Sequence, residues 1–296
     1  MRISVVTPSF RSSRWLKLCI ASVADQEAEH EHIIQDSCSD DGTLEWLPCE
    51  ARVKAFIEKD NGMYDAINRG LRRTNGDILA YLNCDEQYLP ATLECVADFF
   101  QRHSEVEVVF ASAVVVDAQG NYLCHREPVL PGKSHTWVCG NLATLTCATF
   151  FRRSIISERQ LLFEAGLRAV GDAEWILRLL EAGVKMSILP RFTSVFTETG
   201  TNLILRPEAR DELRRFIASA PKWLQYARPL LISHHRLRRL VAGHYWTKPF
   251  HFSLYTQSSP DRRVTRNVER PTFRWIRPDP LPASHGQEPK LGDAPS

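Results

Sequence analysis

Through the first hundred residues, short apolar runs of strand length alternate with apolar stripes of helical period, and this alternation constrains the fold more than any other feature. Residues 3–7 (Ile-Ser-Val-Val-Thr), 32–34, 53–57 and 78–82 read as strands. Between them, Trp15, Leu18, Cys19, Ser22 and Val23 share one helical face, and Met63, Ile67 and Leu71 share another. Leu93, Val96, Ala97 and Phe100 form a third stripe beyond the fourth strand. Strands separated by helices join in parallel through βαβ crossovers, so an α/β domain with a mainly parallel sheet is expected. After residue 105 the pattern turns strand-rich, with runs at 106–110 and 113–117 ahead of a turn at 118–121, which predicts a mixed sheet there. Residues 173–181 read as a helix closed by Gly183, with a strand at 185–189.

With 296 residues, 44% hydrophobic and 24% charged, the chain can bury one large core, or a core and a smaller appendage. Eight cysteines show neither a CxxC pair nor zinc-like spacing, and the first residues lack the basic-then-apolar pattern of a signal peptide. Reduced thiols and a cytoplasmic setting are expected. No apolar run approaches the ~20 residues needed to span a bilayer.

Charge divides the chain. Residues 1–205 carry 20 Lys/Arg against 27 Asp/Glu, whereas residues 206–278 carry 16 against 5. The expected organisation is a body over 1–205, split into halves at 105/106, a basic helical extension over 206–277, and a proline-rich disordered tail over 278–296.

Several strand ends are polar. The first runs into Thr7-Pro8-Ser9, the second into Asp36 and a Ser/Asp/Gly turn, and the fourth into Asn83-Cys84-Asp85-Glu86. Adjacent carboxylates at the C-terminal edge of a parallel sheet offer hard oxygen ligands where open α/β folds bind their ligands. A simple strand cap followed by a turn is the alternative for any one of these clusters.

In order and spacing, the blocks Val5–Phe10, Asp36–Thr43, Asp60–Gly70 and Leu82–Glu86 resemble those of the family 2 glycosyltransferases. The resemblance implies a GT-A fold, a nucleotide-sugar donor, a divalent metal (Mg2+ or Mn2+) and inversion at the anomeric carbon. It sets Thr7, Pro8 and Ser9 beside the nucleotide, Asp36 on the base or ribose, and Asp60, Asn61, Gly62 and Asp65 around the donor pocket. In the family's Asp-x-Asp signature Asn83 takes the first position, Cys84 the middle and Asp85 the last. Asp85 becomes the principal metal ligand, and Glu86 stands where a second Asp is frequent.

Residues 171–179 resemble the block in which family members carry Glu-Asp ahead of a helix. Gly171 replaces the Glu and Asp172 matches the aspartate that serves as base. A carboxylate within reach of an acceptor hydroxyl takes its proton in the transition state. The local alternative for Asp172 is an N-cap or first-turn acid. Glu174 ranks second as base. In the run 196–202, relatives have a His before a loop that closes over the donor. Here Glu198 either substitutes as a ligand or the segment is a solvated turn, the more economical view.

The expected activity is transfer from a UDP-sugar to a saccharide or lipid-linked saccharide in cell-surface polysaccharide assembly. Two other readings compete: a scaffold keeping a decayed donor site, and a sugar-phosphate nucleotidyltransferase, which would want a Gly-rich loop after the first strand. Residues 206–248 interleave arginines with Trp, Tyr and Leu. That pattern suits either peripheral contact with an anionic membrane or a helical appendage packed on the body; nucleic acid is the weaker partner.

Overall fold

A computed structural model describes residues 1–139, 144–200 and 207–275. The expected tail at 278–296 and the loop residues Thr201 and Asn202 lie outside the described residues. In chain order the body comprises β1 (Ile3–Ser9), α1 (Ser13–Ala24), β2 (His30–Asp36), α2 (Thr43–Trp46), β3 (Lys54–Ile57), α3 (Met63–Arg72), β4 (Ile78–Tyr81), β5 (Gln87–Tyr88), α4 (Thr92–Arg102), β6 (Val108–Asp117), β7 (Tyr122–Arg126), α5 (Lys133–Cys139), β8 (Thr149–Arg152), α6 (Ser154–Ser157), α7 (Gly171–Glu181) and β9 (Met186–Glu198). The C-terminal region adds α8 (Pro207–Ala218), α9 (Lys222–Tyr226), α10 (Arg228–Val241), β10 (Phe250–Thr256) and β11 (Ser259–Val268).

One nine-stranded sheet runs in the order β3-β2-β1-β4-β8-β6-β9-β5, with β7 beside β6. β1 pairs in parallel with β2 and β4, and β2 with β3. The reversed strand β8 then joins β4 to β6 antiparallel on both sides. Every residue of β1 is buried, as expected for a strand covered by helices on both faces. Ile3, Val5, Ala80 and Phe150 face a core with α1 and α4, whereas Val6, Leu79 and Phe151 face one with α3 and α7. The period-2 alternation of each strand thus feeds two helix layers.

Two expectations for the body change. The runs at 106–110 and 113–117 belong to a single strand, β6, whose pairing with β9 shifts register around Ser112. The shift lets one long strand bend past small residues without ending. Residues 196–198 are the end of β9, paired with β6 as far as Asp117 opposite Glu198, with Thr197 and Glu198 buried and Phe196 half-buried, and not a solvated turn.

The C-terminal region is helical as far as α10, and then forms a hairpin that the helical expectation missed. Phe252 and Leu254 of β10 and Val268 of β11 bury against Val114, Val116 and Val195 of the main sheet. Arg263 clamps Asp25 after α1 through two hydrogen bonds of 2.6 and 2.7 Å. Val138 of α5 packs with Ala220 and Leu224. No helix among the described residues is long and apolar enough to cross a membrane.

Candidate active site

The parallel strands β1, β2 and β4 end at one edge of the sheet, and the polar blocks meet there. Ser9 Oγ donates to Asp36 Oδ2 at 2.8 Å, while Ser39 donates through its backbone N to Oδ1 and through its hydroxyl to Oδ2, both at 2.8 Å. Asp36 exposes no surface, so its carboxylate knits the ends of β1 and β2 into one floor. Thr7 and Pro8 are likewise buried, and the Thr7 hydroxyl is hydrogen-bonded to His32 Nε2 at 2.8 Å. Burial lowers the His32 pKa to about 3, so the ring stays neutral.

The next wall is the Asp60–Asp65 loop, held by its own side chains. Asp60 Oδ1 accepts from the Gly62 N–H at 2.8 Å, and Asp65 Oδ2 from the Asn61 N–H and from Arg69, each at 2.9 Å. Gly62 sits at φ 120, and a Cβ there would lie 1.9 Å from Arg168 Nη1. That guanidinium donates to the Asn61 carbonyl, tying the loop to the segment ahead of α7. The positive φ favours glycine at this position, whereas the end of the Arg168 side chain could swing aside for a Cβ.

Beyond β4, Asn83-Cys84-Asp85-Glu86 closes on itself. Glu86 N donates to the Asn83 carbonyl at 3.0 Å, and the Asn83 N–H donates to Glu86 Oε2 at 2.8 Å. Cys84 packs near Leu16 and Ile20, and burial pushes its thiol up to about 12, so it stays a thiol. Burial raises both Asp85 and Glu86 above the carboxylate range, and the Asp85 charge adds to the rise at Glu86. Glu86 Oε1 and Asn83 Oδ1 are buried with no hydrogen-bond partner. Two crowded carboxylates, with unpaired oxygens on Glu86 and on the neighbouring Asn83, suit a divalent cation. Among the described residues no three His, Cys, Asp or Glu gather closely enough to hold a metal alone, so ligand and water oxygens would have to complete the shell. β5 pairs antiparallel with β9, Gln87 opposite Val195, which runs the loop alongside the end of β9, where Glu198 Oε2 is also buried and unpaired.

A raised carboxylate pKa means that the folded chain holds protons which the unfolded chain has released. Stability therefore falls as pH climbs above the ordinary carboxylate range. Without added cation, melting temperature should drop more steeply between about pH 5 and about pH 8 in the wild type than in Glu86→Gln. Parallel melting curves would contradict this account of the pair.

Asp172 enters from the other side, as the second residue of α7, and its Oδ1 accepts from the Ala173 N–H at 2.8 Å. Burial raises the pKa values of Tyr64 and Tyr81, and the Asp172 charge adds to the rise; Phe163 packs against both rings, at 5.7 and 5.3 Å, which links the entry of α7 to the end of β4. Glu174 is engaged by Arg178, which donates to its two oxygens at 2.6 and 2.8 Å. That pairing supports ranking Glu174 behind Asp172.

Sequence reasoning passed over two residues here. Tyr64, one residue into α3, lies under Gly171 with its hydroxyl 3.2 Å from the Asp172 N–H. Glu212 of α8 accepts from the backbone N–H groups of Arg168, Ala169 and Val170 at 2.9 to 3.1 Å, satisfying donors at the entry of α7. Tyr64 lies inside the Asp60–Gly70 block, whereas Glu212 carries no local signal, since its partners lie more than 40 residues earlier. Glu212→Ala should cost ~1–2 kcal/mol in urea unfolding by leaving three donors unpaired, and a cost indistinguishable from zero would refute that role.

The family model for glycosyl transferase family 2 matches residues 4–159. A putative teichuronic acid biosynthesis glycosyltransferase, TuaG of Bacillus subtilis, is 32% identical over 108 residues, 34% of this chain and 43% of that protein. A PGL/p-HBAD biosynthesis glycosyltransferase of Mycobacterium tuberculosis is 29% identical over 119 residues, 38% of this chain and 46% of that protein. The chain thus spans under half the length of either relative. S. aureus TarS in complex with UDP-GlcNAc superposes with a TM-score of 0.57 at 16% identity, covering 81% of this chain and 73% of that one. Mannosyltransferase PcManGT of Pyrobaculum calidifontis, in complex with GDP-Man and Mn2+, gives 0.50 at 15% identity, covering 83% and 76%. At these identities the likeness is one of fold. With the family model matching more than half of its length, and its mixed sheet superposing on those structures, this chain belongs to glycosyltransferase family 2 and has the GT-A fold.

Proposed function

We propose that the chain is an inverting, metal-dependent glycosyltransferase that moves a sugar from a nucleotide-sugar, a UDP-sugar, to a hydroxyl of a saccharide or lipid-linked saccharide in cell-surface polysaccharide assembly. The observation that carries this reading is the packing that joins the entry of α7 to the end of β4: the Asp172 N–H meets the Tyr64 hydroxyl at 3.2 Å, and Phe163 stacks on Tyr64 at 5.7 Å and meets Tyr81, the last residue of β4, at 5.3 Å. A single displacement needs leaving-group and nucleophile activation on opposite faces of the sugar, and in this reading the carboxylates after β4 serve the first and Asp172 the second.

In this reading residues 1–105 bind the donor and residues 106–205 receive the acceptor. Thr7, Pro8, Ser9 and Asp36 form the nucleotide floor, Asp60, Asn61, Gly62 and Asp65 the pocket wall, and Asn83 and Cys84 the turn beneath the diphosphate. Asp85 and Glu86 would hold a Mg2+ or Mn2+ ion, which when bound offsets charge on the departing nucleoside diphosphate. Asp172 takes the proton of the acceptor hydroxyl as its oxygen attacks the anomeric carbon. The setting is the cytoplasmic face of a membrane, approached by residues 206–248, with no nucleic-acid partner.

A thermal-shift panel of UDP, GDP, dTDP and CDP, with and without Mn2+, on wild type and Asp85→Ala tests the donor site. A Mn2+-dependent shift for one nucleotide, lost in Asp85→Ala, is expected. No shift with any of them would favour a decayed site.

A further inference from the structure

The helices after the body carry an apolar face that nothing among the described residues covers. Trp223, Tyr226, Leu230, Leu237, Val241 and Trp246 are each more than half exposed, between 54% and 83%. Within α10, Leu230, Leu237 and Val241 recur at i, i+7 and i+11, which at 3.6 residues per turn places them within about 40° of one line. The Ala227 N–H bonds to the Trp223 carbonyl and the Leu231 N–H to the Ala227 carbonyl, so helical bonding bridges α9 and α10 at Ala227. A different face of α10, bearing Leu231, His235 and Arg239, turns inward, and Leu231 packs beside Val138 of α5. The outward stripe is therefore not needed to hold the helix in place. Beside it, Val129, Leu130 and Ile188 line an open groove with Leu237 and Val241.

Charge identifies the occupant. Residues 222–248 hold six Lys/Arg and no Asp/Glu. On the helical projection Arg238 flanks the stripe on one side, with Lys222 and Arg236 on the other. Long cations beside an apolar line, with tryptophans at both ends, can extend to phosphate headgroups while the apolar side chains enter the acyl boundary. Two copies of this face would bring like charges together. A nucleic-acid backbone would satisfy the cations but leave six large apolar side chains in water.

We propose that the outer face of α9 and α10 docks the enzyme on an anionic lipid bilayer, with Trp223, Tyr226, Leu230, Leu237 and Val241 entering the interface. This deepens, and rests on, the reading of the acceptor as membrane-borne.

The test is co-sedimentation of the full chain with vesicles of phosphatidylcholine alone or with about one third phosphatidylglycerol. The wild type should pellet with the anionic vesicles only. Leu230→Glu/Val241→Glu, changed at exposed positions, should partition about tenfold or more weakly and keep its melting temperature and its nucleotide-induced shift. Absence of wild-type binding to the anionic vesicles, or equal binding by the double variant, overturns the proposal. So does a dimer in light scattering that the double variant dissociates, or RNA binding that the same variant abolishes while vesicle binding persists. Vesicle binding by a protein that shows no nucleotide shift would sustain the docking surface and count against the donor reading alone.

Discussion

Asp172→Asn should abolish sugar transfer while leaving fold and donor binding in place. Local geometry allows this separation. The Ala173 N–H that donates to Asp172 Oδ1 finds the same acceptor in an asparagine amide oxygen, so the first turn of α7 keeps its bond. What is lost is the ability to accept a proton, and removing a positioned general base typically costs about 10²–10⁴ in rate. Glu174 cannot take over without giving up the two hydrogen bonds from Arg178. The measurement is turnover of a UDP-sugar with acceptor in excess, beside the nucleotide-induced thermal shift of the same preparation. Turnover within about tenfold of wild type would remove Asp172 from the role of base. Glu174→Gln is the companion control: the Arg178 bond to an amide oxygen persists, and the rate should change little.

The strands that carry the site were legible because each is an apolar run bounded by turn residues. The structure lengthens β1 and β2 through their polar ends, since Ser9 and Asp36 stay in the sheet and bond to one another. β6 reads as two strands because Ala111-Ser112-Ala113 is the least apolar stretch of the run, and it coincides with the register shift. The hairpin was hidden for a different reason. Phe250, Phe252 and Leu254 alternate as a strand should, but β11 is a largely exposed edge rich in arginine and polar residues, and such a strand does not stand out from a basic extension. Residues 196–198 read as a turn on composition, since threonine and glutamate favour one, yet pairing with β6 buries Thr197 and Glu198 at the end of a strand. Glu212 was out of reach, because a carboxylate that satisfies a helix entry 42 to 44 residues away leaves no pattern in the chain.

Putting at 171 the glutamate that the family resemblance sets ahead of the proposed base Asp172 should damage this protein rather than improve it. A Cβ on Gly171 would lie 2.6 Å from Tyr64 Cε2, with two further ring atoms within 2.8 Å. The ring has no room to yield. It is 2% exposed, stacked on Phe163 at 5.7 Å, and Phe163 is itself held by Trp175 at 4.6 Å and Tyr81 at 5.3 Å. Forcing extra atoms into such a packed site costs ~1–3 kcal/mol, so Gly171→Ala should lose about that much in urea unfolding. Gly171→Glu should lose more, because it also crowds a third carboxylate toward Asp172 and Glu86. Transfer should fall with it, since displacing Tyr64 removes the hydroxyl that meets the Asp172 N–H. The two sites are coupled: in a Tyr64→Ala background the further cost of Gly171→Ala should shrink by at least ~0.5 kcal/mol, the sign of a shared volume. Additive costs, or a Gly171→Glu protein as stable and active as the wild type, would show that Tyr64 does not exclude a side chain at 171. Non-additive costs would show instead that the tyrosine fills the space a side chain at 171 would need, so that the absence of the glutamate is no mark of a decayed site.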